Sequence, residues 1–398
     1  MQMTPRYVGL ALVLGLTIAL SSCGGGAPGD VQANANNTGG VGTGGTGSYT
    51  NGPISGLGSI IVNNVRYNVA GATVISDDEL AHDASELQLG MLVEVNGSEV
   101  VSAANGSTPQ ATADKVRFSS ELIGQISATD GVNATITVLG QTVRINSKTV
   151  QPLSLAVHDV VAVYGLSDAT GLIATRIDKL QPNTDTFKLA GVLVSRDAVN
   201  KILYIGQGSG TAVSYVNAGD LPDGLSAGQR VRVWFSHTPR SGQWSATRVR
   251  VDSALVQSSQ EASLEGLITQ LPDVNQVMRV NGALVNISGL PRPLPTLVMG
   301  QRIRVEGPLL GGVLMANEFS NEDASEIENQ SVELHGQVGQ LDTQALTFVL
   351  RGVAVSYTPA VVHGGTLSDS VCVEVQGRSY NPSRQLIATE VEVSDDCP

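Results

Sequence analysis

The stretch Gly56-Leu57-Gly58-Ser59-Ile60-Ile61-Val62 is the first of five glycine-led strand segments in this chain. The others begin, at intervals of 68, 67, 75 and 70 residues, at Gly124, Gly191, Gly266 and Gly336. Self-similarity at a fixed period is typical of a chain built from copies of one supersecondary unit. The spacing therefore predicts five consecutive repeats.

Each copy also carries two runs in which apolar and polar residues alternate. In the first copy the runs are Met91 to Gly97 and Ala113 to Phe118, and in the fifth they are Val371 to Gly377 and Ala388 to Val393. Alternation with a period of two indicates a strand with one buried face. Matching runs at matching offsets in five copies exclude a chance periodicity.

The middle of several copies has the pattern of a hairpin, as in Thr135 to Ile145 and Met278 to Val285. Asn281-Gly282 is a strong signal for a tight turn with positive φ. In the first copy, residues 77 to 89 could form a short helix. The order of three strands, a link and two strands is that of the OB-fold.

We therefore predict an all-β chain, a tandem array of about five small OB-like five-stranded Greek-key barrels after a flexible N-terminal tether. A small sandwich or an extended stack of sheets is the alternative. The predicted boundaries are a signal peptide at 1–22, a tether at 23–52 and repeats at 53–120, 121–182, 186–254, 262–324 and 331–398.

The segment from Gly56 to Tyr67, continued by Gly71 to Val74, resembles the opening of proteins in domain of unknown function 5666. That family occurs as tandem repeats in bacterial envelope lipoproteins. Its pattern usually has Asn-Gly where this chain has Asn63-Asn64, and Asn tolerates a positive φ. The resemblance is close in the first copy, looser in the others, and implies an envelope protein without transferring catalytic residues.

The N-terminus has the pattern of a lipoprotein signal peptide. Arg6 precedes an apolar stretch from Val8 to Leu20, which is too short to span a bilayer, and Leu20-Ser21-Ser22-Cys23 resembles a bacterial lipobox. Cys23 is then the lipid-modified first residue of the mature chain. Gly24 rather than Asp implies sorting to the outer membrane. An ordinary signal peptide with an incidental cysteine is the alternative.

Composition narrows the functional classes. The 398 residues are 41% hydrophobic and 15% charged, with 45 Gly and a net charge of −13. The hydrophobic content is too high for disorder throughout, and the glycines lack the three-residue period of collagen. The tether, made mostly of Gly, Asn, Thr, Ala and Ser, cannot bury a core. The negative charge disfavours nucleic acid as a partner of the whole protein.

Motifs for catalysis or metal binding are missing from the sequence. The five histidines are scattered, and no H-x-x-x-H spacing, nucleophile elbow or phosphate-binding loop occurs. The acidic clusters at 77–79 and 322–323 lack the ligand spacing of a calcium loop, so solvated loops are expected there. We expect no metal, no cofactor and no enzymatic activity. A cell-wall-acting enzyme with paired carboxylates is the weaker alternative.

Cys372 and Cys397 both lie in the last copy and in an oxidising compartment, so a disulfide is expected. It would close a loop of about 25 residues and stabilise this copy by about 3 kcal/mol in the chain-entropy model. By alternation with Val371 and Val373, Cys372 points outward. The C-terminal tail would therefore have to fold back to reach it.

The third copy contains the candidate binding face. Alternation places several arginines and aromatic residues of two strands and their loop together: Arg230, Arg232, Trp234, Arg240, Trp244, Arg248 and Arg250. Like charges facing each other across a strand pair are unfavourable unless an anion lies between them. This pattern indicates binding of an anionic polymer such as lipopolysaccharide, an acidic glycan or single-stranded nucleic acid.

The alternative for this face is docking against an acidic copy, within the chain or in a neighbour, or a plain solvated surface. The third copy has a net charge of +4, whereas the first and fifth copies each have −5. The sequence thus predicts a non-enzymatic outer-membrane lipoprotein whose repeats bind or scaffold. Its expected partners are the membrane, through the lipid anchor, and an anionic envelope polymer or a protein. A purely structural spacer is the alternative.

Overall fold

Stretches in which β-branched and polar residues alternate form the strands of this protein, whose structure is a computed structural model. It describes residues 47–101, 108–168, 171–219, 221–236, 244–252, 259–321, 331–358 and 360–397. The predicted signal peptide, Cys23 and the tether up to residue 46 lie outside these residues. Within the described ranges, no helix is long and apolar enough to cross a membrane.

Within these described ranges, twenty-nine strands form five barrels. Barrel 1 contains β1 (Ser48–Leu57), β2 (Ile60–Val62), β3 (Val65–Asn68), β4 (Thr73–Ser76), β5 (Ala81–His82), β6 (Leu92–Gly97) and β7 (Gln110–Phe118). Barrel 2 contains β8 (Leu122–Asp130), β9 (Thr135–Val138), β10 (Gln141–Arg144), β11 (Val160–Asp168) and β12 (Gly171–Lys179). Barrel 3 contains β13 (Thr186–Asp197), β14 (Ile202–Ile205), β15 (Thr211–Ser214), β16 (Arg230–Ser236) and β17 (Trp244–Val251).

The last two barrels each have six strands. Barrel 4 contains β18 (Ser259–Gln270), β19 (Val277–Val280), β20 (Ala283–Asn286), β21 (Arg302–Leu310), β22 (Val313–Met315) and β23 (Glu318–Asn321). Barrel 5 contains β24 (Val332–Asp342), β25 (Thr347–Leu350), β26 (Val353–Ser356), β27 (Val361–His363), β28 (Cys372–Tyr380) and β29 (Leu386–Ser394).

Strand pairing closes each barrel in the same order. In barrel 2, β8, β9 and β10 pair consecutively and antiparallel, β10 pairs parallel with β12, and β11 joins β12 back to β8. Barrel 3 repeats this order with five strands, and barrels 1, 4 and 5 repeat it with one or two short additional strands. This is the five-stranded Greek-key order, and closure leaves few unpaired edges. The predicted array of OB-like barrels is confirmed.

Tight turns join the second and third strands where the sequence indicated them. Asn281 and Gly282 have φ values of 48° and 84°, and Asn63 and Asn64 have 47° and 62°. The Asn63 amide donates hydrogen bonds to Thr50 Oγ1 and to the carbonyl of Asn51, both at 2.9 Å. An asparagine pair thus makes the turn that the family usually makes with Asn-Gly.

The link in barrel 1 is more compact than expected. The predicted short helix is a single 3-10 turn, Ala84–Glu86. Asp83 caps it by accepting a hydrogen bond from the amide of Ser85, while the carboxylate of Glu86 accepts one from the amide of Asp83. This reciprocal capping fixes a segment too short for a stable α-helix.

The first strand of each barrel begins before its marker glycine. β1 starts at Ser48, inside the stretch that composition assigned to the tether, and its first residues pair with β6. The sequence pattern did not predict this strand, because the alternate positions Ser48, Thr50 and Gly52 have no aliphatic side chains.

First strands also join the barrels to one another. The start of β1 pairs in parallel with β18 of barrel 4, and its end pairs in parallel with β24 of barrel 5. β8 and β13 connect barrels 2 and 3. Arg66 forms an ion pair with Glu333 across the junction of barrels 1 and 5. The described residues from 47 to 397 therefore form one compact unit in which barrels distant in sequence are neighbours.

A glycine recurs in the corresponding strand of four barrels. These glycines are Gly97 in β6, Gly165 in β11, Gly307 in β21 and Gly377 in β28. A Cβ atom on Gly165 would lie 2.3 Å from the carbonyl oxygen of Ile173 in the adjacent strand. The bare backbone thus permits the close approach at a register shift.

The variant Gly165→Ala should lower the free energy of unfolding by about 1–3 kcal/mol, because the new methyl group meets fixed backbone atoms. Urea denaturation followed by circular dichroism measures this change. Gly131→Ala is the matched control, since nothing lies within 4 Å of its Cβ position. Equal stability of the two variants would contradict the proposed crowding.

Candidate functional site

The predicted arginine face of barrel 3 is built as the alternation indicated. Arg232 lies opposite Arg250, and Trp234 lies opposite Arg248, on neighbouring strands β16 and β17. The valines between them, including Val231 and Val233, point into the barrel core. The sequence therefore identified which residues share the face, but it did not identify the residues that cover it.

Acidic residues cover two of these arginines. Arg230 and Arg232 are each only 7% exposed. Arg230 pairs with Glu121 of barrel 2 and, at 3.1 Å, with Asp252 at the end of barrel 3. Arg232 lies 2.7 Å from Asp77 of barrel 1 and 3.0 Å from Asp252. The prediction that these two arginines contact an external polymer is corrected, because their charges are neutralised within the chain.

Lys188 of β13 belongs to the same group, since its Nζ lies 2.6 Å from Asp77 Oδ2. We call this group the central ion cluster: Asp77, Glu94, Glu121, Lys188, Arg230, Arg232 and Asp252. Its members come from barrels 1, 2 and 3. Asp77 is therefore not the solvated loop residue that its sequence setting indicated.

Burial and neighbouring charges displace the pKa values within the cluster. Burial by itself would raise the pKa of Asp252, but Arg232 and Arg230 outweigh it and lower that pKa to about 2. Glu94 behaves in the opposite way, because burial and then the negative charge of Asp252 raise its pKa to about 7. Its nearest cation is Arg117, at 3.3 Å.

A cavity of about 30 Å³ lies beside the cluster and is lined by Glu94, Glu121, Arg230, Arg232 and Asp252 among others. Water-sized molecules fit such a space, whereas small-molecule sites usually have about 300–1,000 Å³. The central ion cluster is therefore a junction between barrels rather than a substrate site.

Barrel 4 contains a smaller buried group of the same kind. Glu265 is fully buried and pairs with Arg302 and, at 3.1 Å, with Arg304. The arginines of its alternating run are thus also used inside the protein.

The remaining residues of the predicted face make different contacts. The guanidinium of Arg248 stacks on the ring of Trp234 at 3.9 Å from its centroid. Arg250 pairs with Glu79. Trp244 begins β17 and packs against Phe235, with ring centroids 5.0 Å apart, so it is partly buried against the barrel core and does not lie in a binding loop. Arg240 lies outside the described residues.

Cys372 and Cys397 form a disulfide with a Cα–Cα distance of 5.6 Å. Cys372 lies on the outer face of β28, as alternation indicated, but it is buried because the C-terminal tail folds back over it. A hydrogen bond of 2.9 Å between His335 Nε2 and the carbonyl oxygen of Asp396 holds the tail in place.

A second, larger site lies where barrels 1, 2 and 5 meet, and we call it the three-barrel cleft. It has a volume of about 560 Å³. Its polar lining includes Arg176, Arg351, Arg384 and Tyr380. Its apolar lining includes Leu57, Ile60, Val69, Leu87, Leu89, Val150 and Val353. Sequence reasoning missed this site, because its residues come from three different copies.

Two polar atoms of this cleft, Tyr380 Oη and Arg384 Nε, are buried without a hydrogen-bond partner in the part of the chain that the structure describes. Burial raises the pKa of the Tyr380 phenol well above its ordinary value, and the charge of Arg176 opposes the rise. The phenol is therefore a neutral donor at physiological pH. The amide of Tyr380 donates to the carbonyl of Ser147, at 2.8 Å, and so fixes barrel 5 against barrel 2.

Comparison with known proteins agrees with the resemblance seen in the sequence. The family model "Domain of unknown function (DUF5666)" matches residues 51–105 and 123–178, which lie in barrels 1 and 2. No curated protein matches this chain. A solved chain described as "drosophila Unr CSD456" is 13% identical, with coverage of 52% of this chain and 98% of that chain and a TM-score of 0.14. A TM-score this low supports no functional conclusion.

The variant Arg232→Ala should lower the free energy of unfolding by about 3–5 kcal/mol, because it leaves Asp77 and Asp252 buried with fewer cations. Chemical denaturation measures the loss. Arg248→Ala is the control, since it removes only the stacking contact of a half-buried arginine on Trp234, which contributes about 2 kcal/mol or less. A loss no larger than that of the control would show that the cluster does not hold the barrels together.

The variant Glu94→Gln should change how stability depends on pH. A carboxyl whose pKa is raised on folding binds its proton more tightly in the folded state, so its contribution falls as pH rises from about 4.5 to about 7. Relative to Glu94→Gln, the wild type should thus lose about 1–3 kcal/mol over this window. Urea denaturation at pH 5 and pH 7 measures the difference.

The control for this experiment is Glu99→Gln, because Glu99 is an exposed carboxyl near the end of the same strand. It should keep the pH dependence of the wild type. An unchanged slope in Glu94→Gln would contradict the raised pKa.

Proposed function

We propose that this protein is a non-enzymatic, lipid-anchored protein of the bacterial outer membrane whose five barrels act as a binding or scaffolding module. The lipobox-like segment ending at Cys23 supports the anchor, and Gly24 supports the outer membrane as its destination. The family resemblance and the Cys372–Cys397 disulfide support an oxidising envelope compartment.

The observation that carries the proposal is the junction of barrels that are remote in sequence. A spacer needs contacts only between consecutive repeats, as in solenoid arrays. Here β1 pairs with strands of barrels 4 and 5, and charges from three barrels meet in the central ion cluster. Such an assembly shortens the reach of the chain and creates composite surfaces, which favours binding over spacing.

The membrane, through the lipid anchor, and an anionic envelope polymer or a protein are the proposed partners. In barrel 3 the charges of Arg230 and Arg232 are already neutralised, which weakens that face as the main contact. The three-barrel cleft is larger and contains three arginines. The chain's net charge of −13 disfavours nucleic acid.

A cell-wall-acting enzyme is the weaker alternative. Such an enzyme needs two carboxyl groups with displaced pKa values in a cleft that holds a sugar. Glu94 and Asp252 have displaced values, but the cavity beside them has a volume of only about 30 Å³. That volume favours a structural role for the pair.

The variant Cys23→Ser should abolish incorporation of a labelled fatty acid when the protein is expressed in a Gram-negative host, because no thiol remains to be modified. Density-gradient fractionation should also show its loss from the outer membrane. Cys397→Ser is the control and should keep both label and location. Label retained by Cys23→Ser would contradict the anchor.

The lipidated protein also serves as bait for partners from solubilised envelopes. An envelope polymer or protein retained by the wild type, and lost with the Arg232→Ala variant, is the result expected for a composite binding surface. Identical retention by both would contradict a composite surface at the central ion cluster, and retention of no partner by either would favour the spacer.

A further inference from the structure

We propose that the three-barrel cleft binds an anionic amphiphile, a molecule that joins an acyl chain to a phosphate or carboxylate group. The inference rests on the proposed binding function and names its ligand class. The cleft occupies about 560 Å³, within the range of about 300–1,000 Å³ typical of small-molecule sites.

The positive charge of the cleft lining favours an anionic ligand. Arg176, Arg351 and Arg384 line the cleft, and among the described residues no Asp or Glu lines it, although the chain as a whole is acidic. Arg176 is balanced by Asp178, at 2.7 Å, outside the lining. Arg351 donates from Nε to the carbonyl of His335, at 2.6 Å, which orients its guanidinium at the rim. Guanidinium groups recognise phosphate and carboxylate oxygens with several hydrogen bonds at once.

Arg384 is held in position by the turn that contains it. Its amide donates to the carbonyl of Asn381, at 2.8 Å, and its φ is 61°. The side chains and backbones of Asn381 and Gln385 close the turn with reciprocal hydrogen bonds. The turn thus fixes the backbone of Arg384, and its Nε is buried without a partner.

Tyr380 supplies a second unsatisfied donor in the same cleft. A buried polar atom without a hydrogen bond costs about 1–3 kcal/mol. An oxygen-rich headgroup would accept hydrogen bonds from both Tyr380 Oη and Arg384 Nε. Two such atoms in one basic cleft point to a ligand that carries acceptors.

The apolar lining selects an amphiphile rather than a free anion. Val69, Ala84, Val150 and Val353 are the partly exposed apolar side chains of the cleft wall. Inorganic phosphate would leave these side chains in contact with water, whereas an acyl chain would cover them. The basic rim and the apolar wall therefore match the two halves of one molecule.

The test uses the lipidated full-length protein in phosphatidylcholine nanodiscs, with octyl phosphate as the probe and empty nanodiscs as the blank. Calorimetric titration should show binding by the wild type and at least a tenfold weaker affinity for Arg384→Gln and for Arg351→Gln. Arg248→Gln, a stacked arginine of barrel 3, is the matched control and should bind as the wild type does. Unchanged melting temperatures establish that each variant is folded.

Inorganic phosphate and octyl glucoside separate the two halves of the ligand. Both should bind at least tenfold more weakly than octyl phosphate. Inorganic phosphate binding as tightly would reduce the site to an anion site, octyl glucoside binding as tightly would reduce it to an apolar groove, and either result overturns the proposal. Equal affinity in the wild type and both cleft variants overturns it as well.

These outcomes are separable from a failure of the proposed function. Lipid labelling at Cys23 tests the anchor, and capture of envelope partners tests the binding module. Neither experiment uses octyl phosphate. If those hold and the cleft variants bind normally, only the amphiphile site is rejected.

Discussion

The central ion cluster is the interaction on which the arrangement of this protein depends. Burying an ion is costly unless an opposite charge and hydrogen bonds compensate it. Asp77 from barrel 1 lies between Lys188 and Arg232 of barrel 3, and Arg230 reaches Glu121 of barrel 2. No single barrel supplies the full set of partners. The charges are satisfied only when three barrels are docked together, so the cluster selects one arrangement among the many open to a chain of similar repeats.

Strand pairing within each repeat closes its barrel, and contacts between repeats dock the barrels together. Each barrel closes through pairings within about 70 residues, and its glycines allow the strands to kink and approach one another. The first strands then serve twice, because β1 pairs within barrel 1 and also with β18 and β24. Divergence among the copies makes this possible. Barrel 3 carries arginines at outward positions where barrel 5 carries Glu374, Glu390 and Glu392.

Docking also creates the site with the clearest capacity for a ligand. The three-barrel cleft exists only where barrels 1, 2 and 5 meet, and its arginines come from positions that look unremarkable within their own copies. The repeat period and the disulfide pair can be recognised from sequence, because each depends on residues within a single copy or on a simple spacing. The cleft cannot, since Arg176 and Arg384 are separated by most of three copies. The candidate binding face was recognised as a face, but its partners were not.

The sequence by itself determined the five closed barrels, the tight turns and the residues that share each strand face, because period-two alternation and turn chemistry act over short stretches of chain. Only the tertiary structure decided which faces meet water. Arg232 and Asp77 are 155 residues apart, and Trp244 packs against the core although it begins its strand beside a loop. Whether an outward side chain is exposed or buried depends on which remote surface complements it in shape and charge, and no local pattern encodes that choice.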